Sequence, residues 1–384
     1  MDLNYTAAQN TFRKMARRFA EEEVAPGAAE RDRTQKYDWS LHKKQSELGI
    51  NGMIFPKELG GSNAGFLAYC LVLEEICKAD IVVGLSPAVG TMAALQLWEL
   101  GRPEQKEKWK EEYIFPVIKG DITIAAAITE PWAGSDVSGI RTTAVLDGDE
   151  WVINGTKAFI SNPGLPQTAC TLVVCWTDKA AREMSTILVP NGTPGFTVGS
   201  EYHKMGQRSG DTRELVFDNC RVPAFNVLGT RGGGQADVKE GFLAKGRVIN
   251  ATSALAVGTA AYEKALAYAQ QRVAFKRPIS QFQFIQQMLV DSALKLELGR
   301  LIRDKAAMAI ETTGSADMKL SGMAKYHCCE SAKQICDWAI QIHGALGYMD
   351  ECDISRYWRD VRIMSIADGA SEIQKWIIAR ALGC

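Results

Sequence analysis

The sequence predicts a mostly α-helical protein with a β-domain in its middle. Three observations carry this. Apolar residues recur at helical spacing up to about residue 120. From about residue 121 they fall into short β-branched runs broken by Gly, Pro and Asp, and from about residue 238 the helical texture returns. At 384 residues the chain is long enough for two or three domains, each with a sizeable core. The divisions that follow are helical over 1–120, β over 121–232 and helical over 233–384.

In the first region, "FRKMARRFAEEEVAP" carries Phe12, Met15, Ala16 and Phe19 at helical spacing, and Pro26 is expected to end that helix. "FPKELGGSNAG" reads as a loop and "FLAYCLVLEEICKAD" as a buried helix, being apolar on most of its surface. In the second, "DITIAAAIT", "TTAVLDGDEWVING", "KAFISN", "CTLVVCWTD", "STILVP" and "TRELVFDNCRVP" read as strands of a sandwich or barrel, with Asp147-Gly148 as a hairpin turn. "GTRGGGQAD" (229–237) reads as a flexible junction. Its glycines lack the strand-turn-helix context of a nucleotide fingerprint. "ATSALAVGTAAYEKALAYAQQRVAF" is a long Ala-rich helix by propensity. The order suggests a β-domain clasped between helical regions, with ligands at the junctions.

A 46% hydrophobic, 23% charged chain is that of an ordinary globular protein. A net charge of −1 argues against nucleic acid or an anionic membrane as the main partner. The start lacks the pattern of a secretory signal, and no uninterrupted apolar run reaches the ~20 residues that span a bilayer. The ten Cys are scattered, with no CxxC, and the four His complete no zinc-ligand spacing. Adjacent Cys328 and Cys329 lie in a helical stretch, where their side chains diverge. All ten read as reduced thiols of a cytoplasmic protein.

Five stretches carry the chemistry. "AITEPWAGSDV" (127–137) supplies Thr129, Ser135 and free amides on a Gly-Ser turn. "KAFISN" sets Phe159 and Ser161 two residues apart on one strand face. "QQRVAFKRPISQFQ" (270–283) holds Arg272, Phe275 and Gln283. "QIHGALGYMDE" (341–351) is a Gly-rich break between helices. "SIADGASEIQ" (365–374) puts Asp368 among small residues. Each has a plain reading alone: polar loop, strand packing, solvated loop, helix break, and an Asx turn or helix N-cap. The alternative for Asp368 is a catalytic base on a turn that a substrate can approach closely.

Together, in this order, with "FPKELGG" and "DTRELVFDNCRVP", they resemble the flavin-dependent acyl-CoA dehydrogenase family over essentially the whole chain. The resemblance implies an N-terminal helical domain, a middle β-domain and a C-terminal four-helix bundle, with FAD between the last two. It implies that Thr129, Ser135, Phe159 and Ser161 face the flavin. Arg272, Phe275, Gln283 and the loop from Gln341 to Ala345 would reach the FAD of a neighbouring subunit in a tetramer. Ala370 to Glu372 would meet the phosphate and ribose region. Ser135, Arg247 and Gly369 would hold the acyl-CoA thioester. The thioester carbonyl would be polarised by the flavin ribitol and a backbone amide in the Asp368–Ala370 region. Electron-transferring flavoprotein is the implied acceptor.

The family's usual base is Glu, in a stretch like "YEGTSEIQ"; a second location is the residue before the arginine matching Arg247. Here these are Asp368 and Gly246, so Asp368 is the matched candidate. Asp is shorter by about 1.5 Å, and Ala367 replaces an aromatic often found there. Both point to a branched or alicyclic acyl group, as in the cyclohexanecarboxyl-CoA dehydrogenase branch. Trp132, Phe159, Lys276 and Ala345 are further departures. The rivals are a carbon-acid oxidase resembling nitroalkane oxidase, a flavoprotein without catalysis, and the same site run as an enoyl-CoA reductase.

Overall fold

The computed structural model describes residues 4–234, 243–314 and 317–384. Residues 235–237 of the expected junction, and 238–242 at the start of the second helical region, lie outside the described residues. Helix α1 (Ala7–Phe19) opens on a reciprocal cap between Thr6 and Gln9. Pro26 does not end the helical path. The chain continues through a five-residue wide turn (Ala20–Val24) and a short 3-10 turn (Ala25–Gly27) into α2 (Ala28–Thr34). Pro26 lies at the start of that 3-10 turn, where its missing N–H would have no helical partner anyway. Helices α3 (Trp39–Glu47), α4 (Phe66–Ala79), α5 (Ile81–Leu100), α6 (Pro103–Trp109) and α7 (Phe115–Ile118) follow. Among the described residues, α5 alone is long and apolar enough to cross a membrane, by length and composition; its apolar run is broken by Ser86, Thr91, Gln96 and Glu99, and 83% of its most apolar window is buried within the fold.

Seven strands make one sheet: β1 (Thr123–Ala127), β2 (Thr143–Asp147), β3 (Glu150–Ser161), β4 (Thr168–Asp178), β5 (Glu183–Pro190), β6 (Phe196–Glu201) and β7 (Thr212–Pro223). The order is β1-β4-β2-β3-β7-β6, with β5 also on β4. Pairing of Asp147 with Glu150 centres the first hairpin on Gly148-Asp149, one residue later than expected. Gly148, at φ 65°, takes the first central position. Strand β6, which has only exposed and half-buried residues, escaped the sequence reading.

Helix α8 (Ala244–Gln271) stops four residues short of the predicted end. Val273–Ala274 (β8) turns back on Arg277–Pro278 (β9) through Phe275 and Lys276, both at positive φ (51° and 67°). Helices α9 (Gln283–Thr313), α10 (Met318–His343), α11 (Asp353–Val361) and α12 (Ser371–Leu382) complete the chain. α10 packs on α8, α9 and α12, and α8 packs on α4 and α5. One apolar cluster therefore runs from α4 and α5 into the bundle, while the sheet has its own core around Trp151, Ile153, Val173, Leu215 and Phe217. Fully buried Arg303 on α9 crosses that seam to Glu74 on α4 at 2.8 Å.

Candidate active site

Asp368 sits in the turn between a short 3-10 segment (Arg362–Ser365) and α12. Its backbone is left-handed, φ 54°, and Gly369 follows at φ 90°. Asp tolerates that region better than most side chains, and Gly does so freely. Two donors fix the turn. The Gly369 carbonyl accepts from Lys325 Nζ at 2.9 Å and from Gln374 Nε2 at 2.8 Å. Lys325 also donates to the Met364 carbonyl at 3.1 Å. Burial pushes the Lys325 pKa down, and the neighbouring Cys329 and Asp368 oppose that shift. The helix-cap reading of Asp368 does not hold: Ala370 is the N-cap of α12, without any side-chain cap. The carboxylate turns instead towards α8, where Asn250 Nδ2 donates to Oδ2 at 3.4 Å. A Cβ placed on Gly246 would lie 3.8 Å from that same Oδ2.

Asp368 lines a cavity of about 1440 Å³ between the sheet and the bundle. Small-molecule sites usually occupy roughly 300–1,000 Å³. One wall carries Thr129, Ser135, Phe159 and Ser161; another carries Arg247, Asn250 and Asp368 to Ala370. The loop bearing Ser135 is pinned from below. Glu130 and Lys157, both fully buried, pair at 2.9 Å, and Lys157 also reaches the Ile128 carbonyl at 3.0 Å. Glu130 takes the Thr142 N–H at 3.0 Å, closing the loop's far end. Burial raises the Glu130 pKa, but Lys157 and these donors outweigh it and hold the carboxyl below its ordinary value.

Phe159 and Ser161 both face the cavity, but not through a regular pleat. The β3–β7 register slips between Lys157 and Ile160, and Phe159 sits at φ 60°. This bulge leaves the ring 63% exposed beside Tyr202, with centroids 5.1 Å apart. Arg247 is buried to 3% exposure, yet among the described residues its Nε has no partner and Nη1 meets only the Met318 sulfur at 3.2 Å. Burial lowers its pKa, and the Asp368 charge acts against that.

The remaining expected residues lie elsewhere on this protomer. Arg272, Phe275, Gln283, Gln341, Ala345 and Glu372 are exposed and do not line the cavity. Phe275 is 90% exposed on a two-residue turn whose positive φ angles favour Gly or Asn.

Residues 6–114, 125–220 and 232–383 match, in order, the N-terminal, middle and C-terminal domains of acyl-CoA dehydrogenase. The chain belongs to the acyl-CoA dehydrogenase family. It is 37% identical to the acryloyl-CoA reductase (NADH) of Anaerotignum propionicum, across 99% of this chain and 95% of that protein. Butyryl-CoA dehydrogenase from Megasphaera elsdenii superposes with a TM-score of 0.94 at 34% identity, covering both chains in full. A chain in a structure of the electron transferring flavoprotein of Acidaminococcus fermentans does so at 0.94 and 35%, covering 100% of this chain and 99% of that one. As an acyl-CoA dehydrogenase the protein is an FAD-dependent oxidoreductase of CH–CH bonds. The cavity suits such a group: it offers hydroxyls from Thr129, Ser135 and Ser161, an exposed Phe159 ring, and the buried Arg247 guanidinium, which has no carboxylate contact among the described residues. Sequence reading missed Lys325, Gln374, Glu130, Lys157 and Asn250. Gln374 acts locally, five residues from Gly369, while the others act through contacts more distant in the chain; Glu130, Lys157 and Gln374 lie within the motif stretches, and Lys325 and Asn250 do not.

Proposed function

We propose that Asp368 is the α-proton base of an acyl-CoA dehydrogenase acting on a short branched or alicyclic acyl-CoA, such as cyclohexanecarboxyl-CoA. One observation carries this reading. The family has two chain positions for its base, and here they converge: Gly246 points its missing side chain at the Asp368 carboxylate. The cavity therefore needs one carboxylate at that spot, and Asp368 supplies it.

An α-C–H beside a thioester is a weak acid. Asp368 takes its proton, and the charge moves onto the thioester oxygen. The N–H groups of Asp368, Gly369 and Ala370 donate no hydrogen bond within the described residues, so this turn has donors free for that oxygen. Arg247 and Ser135 hold the thioester chain. Bound FAD supplies the two-electron acceptor for the β-hydrogen. Thr129, Ser135, Phe159, Ser161 and Ala370 would hold it from within the protomer, and Arg272, Phe275, Gln283, Gln341 and Ala345 from a neighbour. Val82, Leu85 and Val89 of α5 give the cavity apolar surface for an acyl group. Anaerobic titration with thioesters tests the substrate class: cyclohexanecarboxyl-CoA should exceed octanoyl-CoA and palmitoyl-CoA in kcat/KM, and a preference for long linear chains refutes it.

The assembly is a homotetramer. Val290, Leu294, Leu298, Leu301 and Met308 form an exposed apolar stripe along α9, which a second copy would cover. Arg272→Ala should lower FAD retention much more than it lowers the melting temperature. A wild-type monomer with full FAD occupancy refutes this arrangement. Electron-transferring flavoprotein is the acceptor, consistent with the Acidaminococcus fermentans superposition. Ten free thiols, eight of them buried, fit a cytoplasmic setting. A second reading runs the same site as an enoyl-CoA reductase, favoured by the acryloyl-CoA reductase relative. Flavin reoxidation by an enoyl-CoA after chemical reduction distinguishes the two by rate.

A further inference from the structure

The Asp368 side chain has one hydrogen-bond donor among the described residues, Asn250, and that residue is itself held. Asn250 lies on α8 one turn beyond Gly246, so both face the Asp368 turn. It is 2% exposed. Its Oδ1 accepts from the thiol of Cys329 on α10 at 3.1 Å, while its Nδ2 donates to Asp368 Oδ2 at 3.4 Å. The two contacts fix the amide orientation. Burial pushes the Cys329 thiol up to about 12, so it stays protonated and acts as donor. The thiol therefore takes the amide oxygen, and the NH₂ group is left facing the carboxylate. The opposite flip would set two oxygens against each other.

We propose that Asn250 is a positioning residue for the base: with its amide oriented by Cys329, it holds Asp368 Oδ2 and leaves Oδ1 as the oxygen that takes the α-proton. This rests on Asp368 being the base. Among the described residues Oδ1 has no hydrogen bond. A short Asp arm, set back from the substrate, tolerates little wandering, because a displacement near 1 Å costs on the order of 10²-fold in rate. The other ionisable groups facing the carboxylate are Arg247 on α8 and Lys325 and Cys329 on α10.

The test uses the FAD-loaded full chain, butyryl-CoA and cyclohexanecarboxyl-CoA as probes, and stopped-flow flavin bleaching without oxygen. Asn250→Ala is expected to keep wild-type FAD content and melting temperature. Its bleaching rate should fall roughly 10- to 100-fold. The acid limb of its pH–rate profile should move to higher pH, since an amide donor favours the ionised carboxylate. Cys329→Ala should shift both in the same direction by less, and Cys329→Ser, which retains a donor, should stay near wild type. An unchanged rate per bound flavin in Asn250→Ala, with an unchanged pH profile, overturns the proposal even if melting falls, because the role is then packing alone. Asp368→Asn runs alongside. If it is slow while Asn250→Ala is normal, the base assignment stands and only the positioning role falls. If it bleaches at the wild-type rate, both fall.

Discussion

Asp368→Asn should bind FAD and acyl-CoA yet reduce its flavin roughly 10²–10⁴-fold more slowly than the wild type. Asn keeps the shape of the side chain and tolerates the left-handed backbone at φ 54°, so the turn should survive. What it loses is a group able to take the α-proton. Asp368→Glu should remain partly active and move preference towards slimmer, linear thioesters. The longer arm reclaims space, and the positive φ disfavours Glu more than Asp. The geometry also predicts a rescue. In Asp368→Gly the turn keeps a residue at ease with positive φ, and the carboxylate site is vacated. Adding Gly246→Glu places a Cβ about 3.8 Å from where Oδ2 stood, a gap the Glu arm spans. The double variant should recover bleaching at least tenfold over Asp368→Gly. Wild-type bleaching in Asp368→Asn would show that the proton leaves by another route.

Arg303→Met should cost about 3–5 kcal/mol, the usual loss when one partner leaves a buried ion pair. Arg303 is 0% exposed and Glu74 only 1%. Burial alone would raise the Glu74 pKa, but Arg303 and Arg300 pull it down to about 2. Its folded value thus lies below the ordinary 4.5. The stabilisation is full above that ordinary value and is lost as pH falls towards 2. Arg303→Met leaves Glu74 with Arg300 alone, at 3.0 Å. Melting should fall on the order of 10 °C at neutral pH, and the acid-induced loss below pH 4.5 should be shallower. A melting temperature within 2 °C of the wild type would mean that the pair adds no net stability.

The helix–sheet–helix order was legible because it depends on local period and turn chemistry. Where the reading failed, tertiary context had overridden a local signal. Pro26 looked like a stop, yet the backbone had already left the α-helical ladder before reaching it. The Ala-rich helix was extended through Phe275, but the hairpin at Phe275 and Lys276 demands a backbone that propensity does not announce. At the site, residues on motif loops could be found from the chain alone. Lys325 and Asn250 could not. They are ordinary mid-helix residues until folding brings each to the Asp368 turn, one from 43 positions upstream and the other from 118.

The seam between α4 and the bundle also sets a timetable. Glu74 and Arg303 are 229 positions apart, and the whole sheet is made between them. At about 5–20 residues per second a ribosome takes roughly 10–50 s to travel that distance. For most of that interval α4 and α5 stand without the surfaces that complete their core, because α8 is made only from residue 244 and α9 only from residue 283. The sheet, whose apolar cluster closes on itself, can fold first. The nascent N-terminal helices must then wait as a sticky, incompletely covered surface, which makes them the segment of this chain that a holdase chaperone would grip.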